Sequence, residues 1–439
     1  MTSPATAPPA DEELVVVRPV VDTGVPLRAR LVSGISVILA GLVCVFAWGF
    51  GANPGDAEFA LIATGDTFAV PDLKVPAAAT AITLGVVVAL LGVWQVVRGF
   101  SKRQMRWVLV AVLLCFVVAF LCWASTGSPG NPLNVPGLLQ NTLLLATPLV
   151  LGALAGILCE RTGVINVAIE GQFLAGAFAG ALGASLSKSL GVGVVTAVIA
   201  GGLMGALLAV FAIKFLVNQV VLGVVLNAFA LGITGFGYDA LMQSDPSTYN
   251  EPGFFAPIRT PLLADIPVIG QVFFNVNIIV YLTYILIIVI DVALFRTRWG
   301  LRTRAVGEHP RAADTVGIKV LRTRYRNVTM GGMVAGLGGA FLTIGAIGGF
   351  TKDISSGKGF IALAAVIFGK WSPRGAIGAA LVFGFADALQ SLLSVAGTPV
   401  AIPSNFLLML PYLATLFAVA GLVGKVRAPA ADGEPYVKG

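Results

Sequence analysis

Leu138–Leu158 reads LLQNTLLLATPLVLGALAGIL, with no ionisable side chain anywhere in it. It is as long as the ~20 residues a helix needs to cross hydrocarbon. A backbone in lipid must satisfy its own polar groups, and for a single run only a helix does so. Similar runs recur on both sides, at 31–51, 77–97, 107–125, 164–187, 190–213, 218–241, 276–295, 328–350, 375–396 and 405–424. A shorter one, Gly359–Gly369, is too short to cross comfortably and reads as a half-helix or re-entrant segment. The pattern predicts an all-α polytopic membrane bundle of about 11–12 transmembrane helices, the half-helix included.

Composition points the same way. Of 439 residues 57% are hydrophobic and only 11% charged, and the mean hydropathy is +0.92. A soluble fold lacks the interior for so much apolar surface. Glycines four apart, Gly152 and Gly156, Gly176 and Gly180, Gly201 and Gly205, Gly332 and Gly336, predict close helix contacts. The net charge of +7 would suit nucleic acid only if gathered on a soluble face. Here the cations fill the gaps between apolar runs, so the partner is the lipid bilayer and no nucleic acid is expected. Cys44, Cys115, Cys122 and Cys159 lie in or beside apolar runs and read as core fillers.

With the amino terminus inside and the short run counted as a crossing, all but five of the 28 Lys and Arg fall on one side. The exceptions are Lys74, Lys188, Arg259, Lys352 and Lys358. The positive-inside rule then places the chain in the cell membrane with both termini cytoplasmic. Residues 1–30 and 425–439 read as disordered tails. The long loops 52–76 and 242–275 are mildly acidic and face outward.

Two segments carry chemistry. The inner loop Arg296–Arg326 holds nine Lys and Arg around Glu308-His309-Pro310-Arg311-Ala312-Ala313-Asp314-Thr315-Val316-Gly317. Pro310 suits a helix's first turn, Glu308 its positive end and Gly317 its stop. A simple connection needs no capped helix, so this one reads as a dock for a soluble partner. The second segment runs from Thr147-Pro148 to Gln172. Glu170 interrupts an apolar run, and an ionisable group there is costly enough to suggest function. Asn166 lies four residues earlier, on the same face of an expected helix. That pair lines a substrate path or clamps two helices. Asn141, Asn227, Asp387 and Gln390 are further polar groups in apolar runs, the last two sharing a face; Asp239 and Asp291 fall near run ends. His309 reads as a solvated loop histidine. No nucleophile elbow, HExxH or Walker lysine is present, so neither an enzyme nor a cofactor or metal is expected.

Three strings resemble the permease subunits of bacterial ABC importers of the sugar, branched-chain amino acid and nucleoside group, most of all the guanosine-type nucleoside permeases. They are Ala146-Thr147-Pro148-Leu149 leading into Glu160–Gly171, then Arg304–Ile318, and Gly357–Trp371. The resemblance covers about 138–424 as the permease core; 31–137 is an extension with three extra helices. It implies that Gly307, Glu308, Arg311, Ala312, Ala313, Asp314 and Gly317 belong to a coupling helix seated in a groove of a separate cytoplasmic ATPase. It further implies an extracytoplasmic binding lipoprotein, a second related permease subunit, and alternating access for a small molecule, expected to be a nucleoside. Asn141, Asn166, Glu170 and Gln172 would then bond hydroxyls and base edges, and Phe173 or Phe178 would stack. The rival is an ion-coupled carrier using Glu170 or Asp387; sugars and branched-chain amino acids are the rival cargoes within the ABC class.

Overall fold

The computed structural model describes residues 27–61, 71–127, 130–396, 399–400, 406, 409 and 427–438. The chain forms two compact units, Met1–Ala57 with Val75–Gly127, and Glu58–Lys74 with Ser128–Gly439.

The first unit holds α1 (Leu27–Val43), α2 (Ala77–Val97) and α3 (Lys102–Ser125). α1 begins inside the stretch expected to be a tail; residues 1–26 lie outside the described ones. Glycines bring α1 and α2 close, since a Cβ on Gly85 would stand 2.8 Å from the Gly41 carbonyl oxygen. Buried Gln95 satisfies both ends of its amide, donating to Ser33 Oγ at 3.1 Å and accepting from Phe100 N at 2.8 Å. Ser101 and Gln104 close a reciprocal cap at the start of α3. Leu90, Val97 and Trp107 stay exposed, as side chains facing lipid do.

The second unit holds α4 (Val135–Glu160), α5 (Ile169–Ser187), α6 (Leu190–Ala209), α7 (Gln219–Gly237), short α8 (Pro246–Tyr249) and α9 (Ile269–Phe274), α10 (Ile278–Arg296), α11 (Arg298–Glu308), α12 (Pro310–Thr315), α13 (Val320–Ala340), α14 (Lys358–Phe368) and α15 (Pro373–Ala396). Across the described residues nine helices are long and apolar enough to cross a membrane. α5 is not among them because Glu170, Gln172 and its small residues dilute its apolar content, and α14 because it has 11 residues. The run expected at 405–424 lies almost wholly outside the described residues.

α4 is the axis of this unit, with 89% of its apolar window buried. α5, α13, α14 and α15 pack around it. The glycine pairs act as expected: a Cβ on Gly336 would stand 3.0 Å from Gly201 Cα, and one on Gly205 equally close to Gly332 Cα. We expect Gly336→Leu to cost about 1–3 kcal/mol through overpacking, read as a lower unfolding temperature in detergent. Gly235→Leu, where a side chain meets open space, should leave that temperature unchanged.

The sequence expectation fails at 164–187. One continuous helix was expected there, but the chain leaves α4 at Glu160, runs as irregular backbone through Ala168, and enters α5 at Ile169. Asn166 therefore does not share a helix face with Glu170. Buried irregular backbone needs partners, and distant residues supply them. Ile165 N donates to Gln219 Oε1 (2.7 Å), Asn227 Nδ2 donates to Val167 O (2.9 Å), and Arg324 Nε donates to Thr162 O (3.0 Å).

Candidate functional site

Two broken elements meet at Glu170. α5 starts late, after the irregular segment, and α14 starts late, after a loop in which Asp353, Ser356 and Gly357 adopt left-handed backbone. Glu170, in the first turn of α5, has 6% exposure and reaches across to the start of α14. Its Oε1 accepts from Ser355 Oγ (2.5 Å) and Gly357 N (2.8 Å), and its Oε2 from Gly359 N (2.6 Å). The carboxylate thus sits at the positive end of two helices, where amide groups lack intrahelical acceptors. Gly359 is required by the approach: a Cβ there would lie 2.5 Å from Glu170 Cα. The junction is set deep in the unit, because Gly152, past the midpoint of α4, faces Ala362, Phe173 and Ile169.

Around it the polar residues form pairs. Asn166 and Gln172, both fully buried, exchange amide bonds at 3.1 and 3.3 Å. Asn227 of α7 accepts from Gly171 N at 2.8 Å, satisfying the turn beside Glu170. Phe173 is buried between α4 and α13, against Gly152 and Gly338. Phe178 lies further along α5, edge-on to Phe350 at 5.4 Å. On the other side of the α14 start, Lys358 places its charge near half-buried Asp387 of α15. Gly384 of α15 faces Thr142 of α4, which brings Asn141 to the level of Asp387. Gln390, one turn on, donates to Ser394 Oγ at 3.2 Å. Glu170, Asn166, Gln172 and Asn227 therefore form one group, while Asp387 lies near the start of α14, with Asn141 at its level on α4 and Gln390 one turn on along α15.

Sequence reasoning missed the groups that hold Glu170. Ser355, Gly357 and Gly359 had a signal in the glycine-lysine-glycine string ahead of the short run. Asn250 had none: it brackets Phe350 with two bonds of 2.7 and 2.9 Å and so fixes the loop that leads to α14.

At the basic end of this unit, α11 and α12 stand in succession. Thr297 caps α11 by accepting from Gly300 N, Pro310 opens α12, and Gly317 follows in left-handed backbone. Glu308, His309, Arg311 and Ala312 are exposed, Asp314 is half-buried, and Gly307 and Ala313 face inward. Beneath them Trp371 Nε1 donates to buried Glu160, and Arg161 Nε to Trp371 O at 2.9 Å. This ties the end of α4 to the end of α14.

Residues 427–438, expected to be a disordered tail, instead lie on this face. Tyr436 is buried with Val306, Ala313 and Val320, and that apolar contact offsets the segment's polar composition. Ala431 N donates to Gly307 O (2.9 Å), Ala430 N to Glu308 Oε2 (3.2 Å), and Arg324 Nη1 to Glu434 O (3.0 Å). Asp432 is drawn in with them. Burial raises its carboxyl well above the ordinary range, with the Arg324 guanidinium of α13 partly opposing; Glu160 of α4 lies within its field. The seated form therefore prefers a proton that the free form releases above about pH 4. Seating should weaken as pH rises from 4 to about 7, the value to which burial lifts the seated carboxyl. A fluorophore at Lys438→Cys should lose anisotropy over that range, and Asp432→Asn should flatten the profile.

The family model described as branched-chain amino acid transport system / permease component matches residues 138–421. The guanosine ABC transporter permease protein NupQ of Bacillus subtilis (strain 168) is 43% identical over 308 residues, 68% of this chain and 95% of the relative. The nucleoside ABC transporter permease protein NupC of Lactococcus lactis subsp. cremoris (strain MG1363) is 37% identical over 322 residues, 70% of this chain and 99% of the relative. A second guanosine ABC transporter permease protein of B. subtilis, NupP, is 24% identical over 299 residues, 66% of this chain and 85% of the relative. No solved structure matches the chain significantly.

Proposed function

We propose, for a chain that belongs to the branched-chain amino acid transport system / permease component family, the role of a nucleoside-importing permease subunit. It is a multi-pass membrane transport subunit, and ATP hydrolysis belongs to a separate subunit. The observation that carries the nucleoside reading is the 43% identity across 95% of a guanosine permease. Two different relatives with that description in one bacterium support pairing with a second, related permease chain.

In this reading the basic end is cytoplasmic, which the distribution of Lys and Arg supports, and the ATPase docks on the exposed face of α12. An extracytoplasmic binding lipoprotein delivers the nucleoside from the other side. ATP binding displaces α12, and alternating access follows as rigid helices rock about the junction of α5 and α14. Asn141, Asp387 and Gln390 offer donors and acceptors to hydroxyls and base edges, and Phe178 a face for stacking. Asn166, Glu170, Gln172, Phe173 and Asn227 shape the path from behind, since their polar groups and ring are occupied by protein.

An ion-coupled carrier fits less well. Both oxygens of Glu170 are engaged by protein donors, leaving little for a proton or Na⁺ to take. The test is uptake of labelled guanosine in cells expressing the complete transporter, with unlabelled competitors. Competition by nucleosides and none by glucose or leucine is expected; competition by a sugar or a branched-chain amino acid alone overturns the substrate assignment.

A further inference from the structure

The residues 427–438 touch three parts of the machinery at once. They bond the end of α11 at Gly307 and Glu308 and bury Tyr436 against α12 and the start of α13. They also press on the irregular segment ahead of α5: Gly433 faces Ile165, and the Ala431 carbonyl oxygen stands 2.7 Å from where a Cβ on Gly163 would be. That segment ends at Glu170. The same residues wall, with α12, a cleft of about 370 Å³ between Arg311 and Tyr436.

We propose that Ala430–Tyr436 is a second coupling element, a strap that fastens the docking helix to the turn between α4 and α5 and carries its displacement to the Glu170 junction. The inference rests on the ABC permease reading above. The end of α11 already rests on that turn, where a Cβ on Gly307 would collide with the Arg161 carbonyl oxygen, but α12 itself is only six residues long and gains a second link through the strap. The strap adds hydrogen bonds and a backbone contact with Gly163 at Ala430–Ala431, and apolar burial at Tyr436. Buried Arg324, bonded to both Thr162 O and Glu434 O, pins its middle. A tethered, directional path of this kind transmits motion because its parts move together rather than deform.

The test uses the full transporter with its ATPase, binding protein and companion permease, comparing wild type with a chain lacking 427–439. The amount of ATPase that co-purifies should stay near wild type, while uptake falls by roughly tenfold or more, within the range of ordinary coupling energies. Stimulation of ATP hydrolysis by loaded binding protein should disappear with it. Tyr436→Ala should reproduce the split and Tyr436→Phe, which keeps the packing, should not. Uptake equal to wild type in both the truncated chain and Tyr436→Ala overturns the strap. So does loss of ATPase binding in proportion to uptake, or loss of the folded chain in both variants, since either reduces the segment to a docking or stability role. A wild-type complex that recruits no ATPase overturns the parent reading, and the strap with it.

Discussion

Replacing Glu170 with alanine is expected to remove most of the folded protein from the membrane, and replacing it with glutamine to leave the protein folded but nearly inactive. Alanine strands Ser355 Oγ, Gly357 N and Gly359 N in a buried setting. Each such orphan costs about 1–3 kcal/mol, so the three together cost on the order of 3–9 kcal/mol, at least as much as breaking a buried ion pair. That is a large part of the stability of an ordinary domain. Glutamine keeps the size and one acceptor but turns an amide NH₂ toward backbone N–H groups and removes the charge at two helix starts. We expect guanosine uptake by Glu170→Gln to drop by roughly a hundredfold, as about 3 kcal/mol is lost at the junction. Thermal unfolding and uptake, measured on the same preparations, check both arms. Full uptake by the glutamine variant would show that the junction needs only the shape of residue 170.

The second large effect is expected at α12. Arg311→Glu together with Ala312→Asp changes the charge of an exposed surface without removing a buried contact. The membrane part should keep its unfolding temperature, while ATPase recovered with the tagged chain falls by roughly tenfold or more, because like charges facing each other at a docking surface cost several kcal/mol. Undiminished recovery would mean that the ATPase binds elsewhere. Together with the strap variants this separates binding from transmission: the α12 variant loses the ATPase, and the truncated chain keeps it and loses its effect.

Much of this was legible in the residues. The long helices follow from uninterrupted apolar runs, and the close contact of α6 with α13 from glycines four apart. The short helix α12 is written in Pro310 and Gly317. The break at 161–168 was not, because hydropathy runs straight through it; what makes it a break is satisfaction of its backbone by Gln219, Asn227 and Arg324, at least 50 positions away. The partner of Glu170 was hidden for the same reason, being 185–189 residues distant. The carboxyl-terminal segment misled by composition. Ala, Pro, Gly and Asp suggest disorder, and one residue, Tyr436, buried in a pocket made by three helices, is enough to reverse it.

The most direct measurement is guanosine uptake into proteoliposomes carrying the chain with its companion permease, its ATPase and the loaded binding protein. ATP would be supplied on the ATPase side and compared with an imposed proton or Na⁺ gradient without ATP. Uptake that requires ATP, stops with a hydrolysis-deficient ATPase and ignores either gradient is the predicted result. Uptake driven by a gradient in vesicles holding no ATPase would contradict the account and return Asp387 to the role of ion carrier.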